Sequence, residues 1–146
     1  MPQAMATEIQ KQCETIEECY EFTLSYAARG LASDEGSGLR ERLTRAVAAI
    51  RGLELSCAGA TETDLMAPAE KCQAFFAVVK HDAEGALAAM ELVLAQETIG
   101  SQLIDNLNAS IHLRALLADL FLLTEILDVQ QKTAKAEAAN EVVGPH

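Results

Sequence analysis

The residues with the greatest potential for chemistry in this 146-residue chain are its four cysteines. Thiolates bind soft ions such as Cu(I) and Zn(II), and a thiol of lowered pKa can act as a redox sensor. Cys13 and Cys19 are separated by about 120° round a helix, so they cannot jointly hold one metal ion. The chain contains no C-x-x-C motif, which excludes thioredoxin-like and c-type haem sites.

Three of the cysteines come together if the chain folds as an antiparallel bundle of helices. Cys13 and Cys72 lie near the start of the first and third predicted helices, and Cys57 lies near the end of the second. One interpretation is a three-thiol layer that binds metal, with Glu125 or a solvent molecule as a fourth ligand, or that senses redox state. The other is core packing, which we favour because reduced cysteine is usually buried and no basic residue is predicted nearby. We therefore expect neither a metal ion nor another cofactor.

The histidines and carboxylates form no recognisable catalytic motif. Di-iron bundles need a Glu on each of two helices and Glu-x-x-His on the other two. Here His81 precedes Glu84, which is the reverse order, and His112 has no Glu three residues before it. We therefore expect a protein that is not an enzyme.

Composition predicts the fold class and excludes several types of partner. Hydrophobic residues make up 50% of the chain, mostly Ala and Leu, whereas aromatic residues reach only 4%. This balance favours helices over strands, so the predicted class is all-α. The net charge of -11 argues against nucleic acid and against anionic membrane surfaces, because both are bound through clustered Lys and Arg.

Apolar residues recur at alternating spacings of three and four, and turn signals divide them into four segments. Thr7 and Gln10 resemble a capping box, the 33–38 segment and Gly59 resemble helix stops, and Gly100 with Ser101 resembles a stop followed by a new N-cap. These patterns predict a single domain, residues 1–146, folded as an antiparallel up-down-up-down four-helix bundle. The predicted helices cover residues 8–31, 38–58, 67–98 and 101–135, followed by a frayed tail at 136–146.

The 113–127 segment, LRALLADLFLLTEIL, is apolar almost all the way round a helix. Moreover, Ile104, Leu107 and Ile111 lie on one side of the predicted fourth helix, and the later leucines lie nearly opposite. A bundle buries only one of these faces, so we expect a homodimer; the alternative is coverage by the loop and termini of the same chain. The candidate interface has two stripes, one of Leu116, Leu120, Leu123 and Leu127 and one of Phe121, Leu122 and Ile126.

The sequence predicts location and function only in general terms. The N-terminal segment lacks the basic and apolar regions of a signal peptide, and Asp119 and Glu125 interrupt the most apolar stretch, so we expect a cytoplasmic protein without a membrane span. The favoured function is that of an acidic interaction protein, such as an assembly factor, chaperone or regulatory adaptor, which binds a protein partner through an apolar helix face. The alternative is a metal- or redox-responsive bundle that uses the cysteine layer.

Overall fold

The computed structural model describes the backbone of residues 2–62 and 68–143 and the side chains of residues 6–59 and 68–140. Within these ranges the chain is helical and contains no strand, so the all-α prediction is confirmed. There are five helices in the described ranges: α1 (Pro2–Ala28), α2 (Leu39–Glu62), α3 (Ala69–Leu94), α4 (Ser101–Ala109) and α5 (Ile111–Val143).

Several predicted helix boundaries were wrong. Helix α1 begins at Pro2, so the pattern at Thr7 and Gln10 does not mark a helix start. Helix α2 continues past Gly59 to Glu62, and α5 continues to Val143, through most of the tail that was predicted to fray. The 134–139 segment, AKAEAA, consists of strong helix formers, which explains the continuation of α5. Residue 67, the predicted start of the third helix, lies outside the described residues.

The predicted single helix over 101–135 is also wrong, because Ser110 separates α4 from α5. Ser110 has φ -57° and ψ 128°, outside the helical region, and its N–H donates to the carbonyl of Leu107. The break changes the phase of the helix, so that Leu107 before it and Leu113 after it are both buried. The change of face seen in the sequence is therefore accommodated within one chain, and it no longer argues for a second one.

Residues from all five helices form one buried apolar cluster. Helix α1 packs against α2 and α4, α2 against α3, and α3 against α5. Two hydrogen bonds show that α1 and the α4–α5 segment run in opposite directions. Gln10, near the start of α1, donates from Nε2 to Oε1 of Gln131 at 3.4 Å, and Tyr26, near its end, donates from its hydroxyl to the carbonyl of Ile99 at 2.6 Å.

Asp34, in the α1–α2 loop, joins that loop to the α3–α4 loop. Its Oδ1 accepts the N–H of Ile99 at 2.8 Å, and its Oδ2 accepts Nε of Arg40 at 2.8 Å. The Arg40 guanidinium also donates to three carbonyls that follow or end α3, those of Leu94, Gln96 and Glu97. We call Asp34, Arg40 and the backbone groups that they contact the loop clamp. The Ile99 amide, with Arg40, holds the pKa of Asp34 below its usual value of 3.8.

Ser101 extends this connection to the end of α1. Its Oγ donates to the carbonyl of Tyr26 at 2.7 Å and accepts the N–H of Leu31 at 2.8 Å. The predicted N-cap role of Ser101 is therefore wrong: the cap position is Gly100, and no side chain caps α4. A Cβ on Gly100 would lie 3.0 Å from the carbonyl oxygen of Leu31, so glycine permits the close approach of the two loops.

We predict that Asp34→Asn lowers the free energy of unfolding at pH 7 by about 2 kcal/mol, because it removes an ionised acceptor from two hydrogen bonds. Urea unfolding followed by circular dichroism measures this change, with Glu35→Gln as the matched control on the exposed side of the same loop. Because the pKa of Asp34 is lower in the folded protein than in the unfolded chain, its carboxylate stabilises the fold above pH 3.8. This stabilisation is lost as the pH falls through the pKa that Asp34 has in the folded protein. The difference between Asp34→Asn and wild type should therefore shrink in strong acid; equal stability of the two at pH 7 would contradict the role of the clamp.

Candidate functional site

The cysteines lie in environments that keep them protonated. Cys13, Cys19 and Cys57 are buried, and Cys72 is half-buried. Burial, followed by the negative charge of Glu17, raises the pKa of the Cys13 thiol to about 12. Burial likewise raises the pKa of Cys57 to about 12 and that of Cys19 to about 11. At neutral pH these three side chains are therefore neutral thiols that pack as small apolar groups.

The predicted three-cysteine layer is only partly assembled. Cys13 and Cys57 are close enough for the charge of Cys57 to raise the pKa of Cys13, whereas only burial affects the pKa of Cys72. Among the described residues, no three His, Cys, Asp or Glu side chains are grouped so that they could hold a metal ion. In this arrangement Cys13 and Cys57 are part of the apolar cluster, and Cys72 packs at its edge.

We predict that a thiol reagent such as DTNB modifies Cys72 first in the folded protein, and modifies the other cysteines only on unfolding. The reason is that Cys72 is partly exposed, whereas the remaining thiols are buried and have raised pKa values. The reaction is followed at 412 nm with and without ~6 M guanidinium chloride, a concentration that unfolds most domains. The Cys72→Ser variant is the control and should show almost no reaction when folded. Rapid modification of that variant would indicate an accessible, activated thiol among Cys13, Cys19 and Cys57.

Sequence reasoning missed a pair of carboxyl groups between α3 and α5. Burial, followed by hydrogen bonding and charge repulsion from Asp82 on α3, raises the pKa of Asp119 on α5 from 3.8 to about 7. The helices approach closely here, since a Cβ on Gly85 would lie 2.8 Å from Nδ1 of His112. The sequence contained one signal for this pair, because Asp119 is an acidic residue within the leucine-rich stretch. In the sequence Asp119 argued only against a membrane span.

We predict that Asp119→Asn raises the stability of the protein at pH 8. Native Asp119 keeps its proton up to about pH 7, whereas the unfolded chain releases it near 3.8. The folded state therefore binds more protons between these values, and the free energy of unfolding falls as pH rises through about 7. The uncharged amide removes this loss, so thermal unfolding of the variant should depend less on pH between about 5 and 8. Asp105→Asn, at an exposed position on α4, is the control, and an identical pH profile for Asp119→Asn and wild type would contradict the pairing.

The first predicted stripe of α5 belongs to the core of the chain. All four of its members are fully or almost fully buried: Leu116, Leu120, Leu123 and Leu127. The neighbouring Leu113 and Leu117 are buried as well. They pack in the same cluster as the apolar residues of the other four helices. A partner could contact this stripe only if the helices separated.

The second predicted stripe is largely at the surface. Phe121 is 56% exposed and Leu122 is 50% exposed, while Ile126 is half-buried against the core. Ile111 and Val129 lie on the same side of α5 and are 75% and 51% exposed, with Ala118 exposed between them. We call the surface formed by Ile111, Ala118, Phe121, Leu122 and Val129 the outer stripe.

The described residues also line a cleft of about 210 Å³ between α2 and α3. Its walls include Cys57, Phe76 and Val79, with Glu54 and Lys80 at its polar side. Burial raises the pKa of Glu54, with a further contribution from Glu84. That volume is below the roughly 300–1,000 Å³ typical of small-molecule sites. A neighbouring depression of about 500 Å³, lined by residues that include Arg51 and Glu91, is shallow and mostly open to solvent, so it does not enclose a ligand. The outer stripe is therefore the stronger candidate for function.

Comparison with protein-family models, curated proteins and solved structures finds no match to this chain. None of the helices in the described residues has the length and apolar character needed to cross a bilayer.

Proposed function

We propose that this chain is an acidic helical interaction protein without enzymatic activity, and that it binds a protein partner through the outer stripe of α5. The observation that carries the proposal is the exposure of large apolar side chains along one face of a helix whose opposite face is already buried. Contiguous exposed apolar side chains on a folded domain commonly mark a binding surface. A helix face of this kind is recognised by an apolar groove or by another helix.

The two candidate stripes of α5 differ in what each could contact. Leu116, Leu120 and their neighbours already have partners within the chain, so they contribute to stability. Phe121 and Leu122 are at the surface, so they are available to a partner without any opening of the fold. Aromatic side chains such as Phe121 are enriched at protein interfaces, which favours a position for it near the centre of the contact.

We also propose that the five helices form an antiparallel bundle of four positions, the fourth shared by α4 and α5. The contacts support this arrangement, since α1 packs against α2, α2 against α3, and both α1 and α3 against the α4–α5 segment. The α2–α3 direction is supported by Arg40 near the start of α2, which binds carbonyls at the end of α3. We further propose a cytoplasmic location, because all four cysteines are free thiols, as is usual in a reducing compartment.

We predict opposite effects for two neighbouring substitutions on α5. Leu120→Glu places a carboxylate in the core and should cost several kcal/mol or prevent folding, whereas Leu122→Glu should change stability by about 0.5 kcal/mol or less. Circular dichroism with urea unfolding measures both. Leu122→Glu therefore provides a folded variant with an altered outer stripe; its failure to fold would show that this face is core.

Binding itself is tested with a photoreactive benzophenone amino acid at position 122, in cells that naturally produce the protein. Leu92 on α3, another exposed leucine, is the matched control position. We expect a discrete protein adduct, which includes a second copy if that is the partner, from position 122 but not from position 92. Addition of Phe121→Glu should abolish the adduct. Equal labelling from both positions would contradict the proposed function.

A further inference from the structure

We propose that the partner of the outer stripe is a second copy of this chain. The two α5 helices pack antiparallel about a two-fold axis that crosses α5 at the level of Leu120. In this arrangement Arg114 of each copy faces Glu125 of the other. This inference rests on the proposed function, because it requires that the outer stripe is a docking surface. It adds the identity of the partner and the direction of its helix.

The outer stripe is symmetric along α5 about one residue. At about 100° per residue, Ile111, Ala118, Leu122 and Val129 lie within about 20° of a common line along α5. Ile111 and Val129 are equidistant from Leu120, and so are Ala118 and Leu122. In an antiparallel pair centred at this residue, each exposed apolar side chain therefore faces an apolar side chain of the other copy. A two-fold interface requires this kind of self-complementary surface.

Two charged residues beside the outer stripe share the same centre of symmetry. Arg114 and Glu125 are both exposed, and both lie roughly 40–60° to the same side of the apolar line. Their midpoint falls between residues 119 and 120, which coincides with the centre of the apolar pattern. When two helices pack antiparallel, side chains on the same flank face each other, so each Arg114 lies opposite a Glu125 of the other copy. A parallel pair would instead place this flank on opposite sides of the contact in the two copies, so Arg114 and Glu125 would have no such partner.

Arg114 and Glu125 are also available for this contact. Neither forms a salt bridge with another residue in the part of the chain that the structure describes. Phe121 lies on the same flank, about 80° from the apolar line and close to the centre of symmetry, where it would approach its own copy. The net charge of -11 makes two copies of the chain repel at long range. At the proposed contact this repulsion is offset, because each Arg114 is paired with a Glu125 and the centre of the contact is apolar.

The experiment is charge reversal with the full chain, followed by sedimentation equilibrium over a dilution series. Wild type should form a species of twice the 15.6 kDa chain mass. Arg114→Glu and Glu125→Arg should each weaken the dimer by on the order of 10-fold or more, since each places like charges together twice in the symmetric contact. The double variant Arg114→Glu/Glu125→Arg should restore wild-type affinity, and an equimolar mixture of the two single variants should form mostly heterodimers. Lys71→Glu and Glu18→Arg, at exposed positions on α3 and α1, are matched controls for charge and should leave the dimer unchanged.

The alternative outcomes separate this inference from the proposed function. If Leu122→Glu dissociates the dimer but the charge reversals behave like their controls, the antiparallel orientation is wrong and the outer stripe remains the docking surface. If the single reversals weaken the dimer but the double variant Arg114→Glu/Glu125→Arg does not restore it, the two residues do not face each other and the inference fails. A wild-type chain that stays monomeric overturns the self-contact, whereas the adduct from position 122 decides whether another protein occupies the stripe.

Discussion

The ionised carboxylate of Asp34 connects two loops whose positions determine how the helices meet. Through the Ile99 amide and the Arg40 guanidinium it joins the α1–α2 loop to the end of α3 and the start of α4. The Arg40 guanidinium satisfies carbonyls after α3 that have no partner within the helix. Because Ser101 continues the same connection to Tyr26, the end of α1 is held in register with the start of α4. The position of α4 against α1 depends on this junction.

Downstream of that junction, Ser110 lets one segment of chain satisfy two packing requirements. Leucines on both sides of the break are buried, since the single non-helical residue rotates α5 relative to α4. The inner leucines of α5 then complete the core, and the outer stripe is left at the surface as a second apolar face. An uninterrupted helix with the same sequence would have exposed part of its buried set. The break therefore orients α5 so that one of its faces stabilises the fold and the other stays at the surface.

The all-α class could be predicted from sequence because the helix propensity of Ala and Leu is a local property, which favours a helix in each segment whatever the rest of the chain does. The break at Ser110 could not, since no Gly or Pro marks it and the helix propensity of Ser differs little from that of its neighbours. The loop clamp was also hidden, because Asp34 lies in a segment typical of turns and its amide partner is 65 positions further along the chain. At the candidate site, the pattern in 113–127 correctly indicated apolar residues on more than one face. It could not assign Leu120 to the core and Leu122 to the surface, because that assignment depends on where the neighbouring helices lie.

The hydrogen bond between Ser101 and Tyr26 spans 75 positions, and this separation has a consequence for the order of folding during synthesis. Helices α1 and α2 leave the ribosome before Ile99 and Ser101 do, so the face of α1 that contacts α4 and α5 has nothing to cover it at that stage. The nascent chain is then a pair of helices with exposed apolar residues such as Ile9 and Ile16, both of which are buried in the finished protein. Closure of the fold is therefore a late event that requires the last third of the chain.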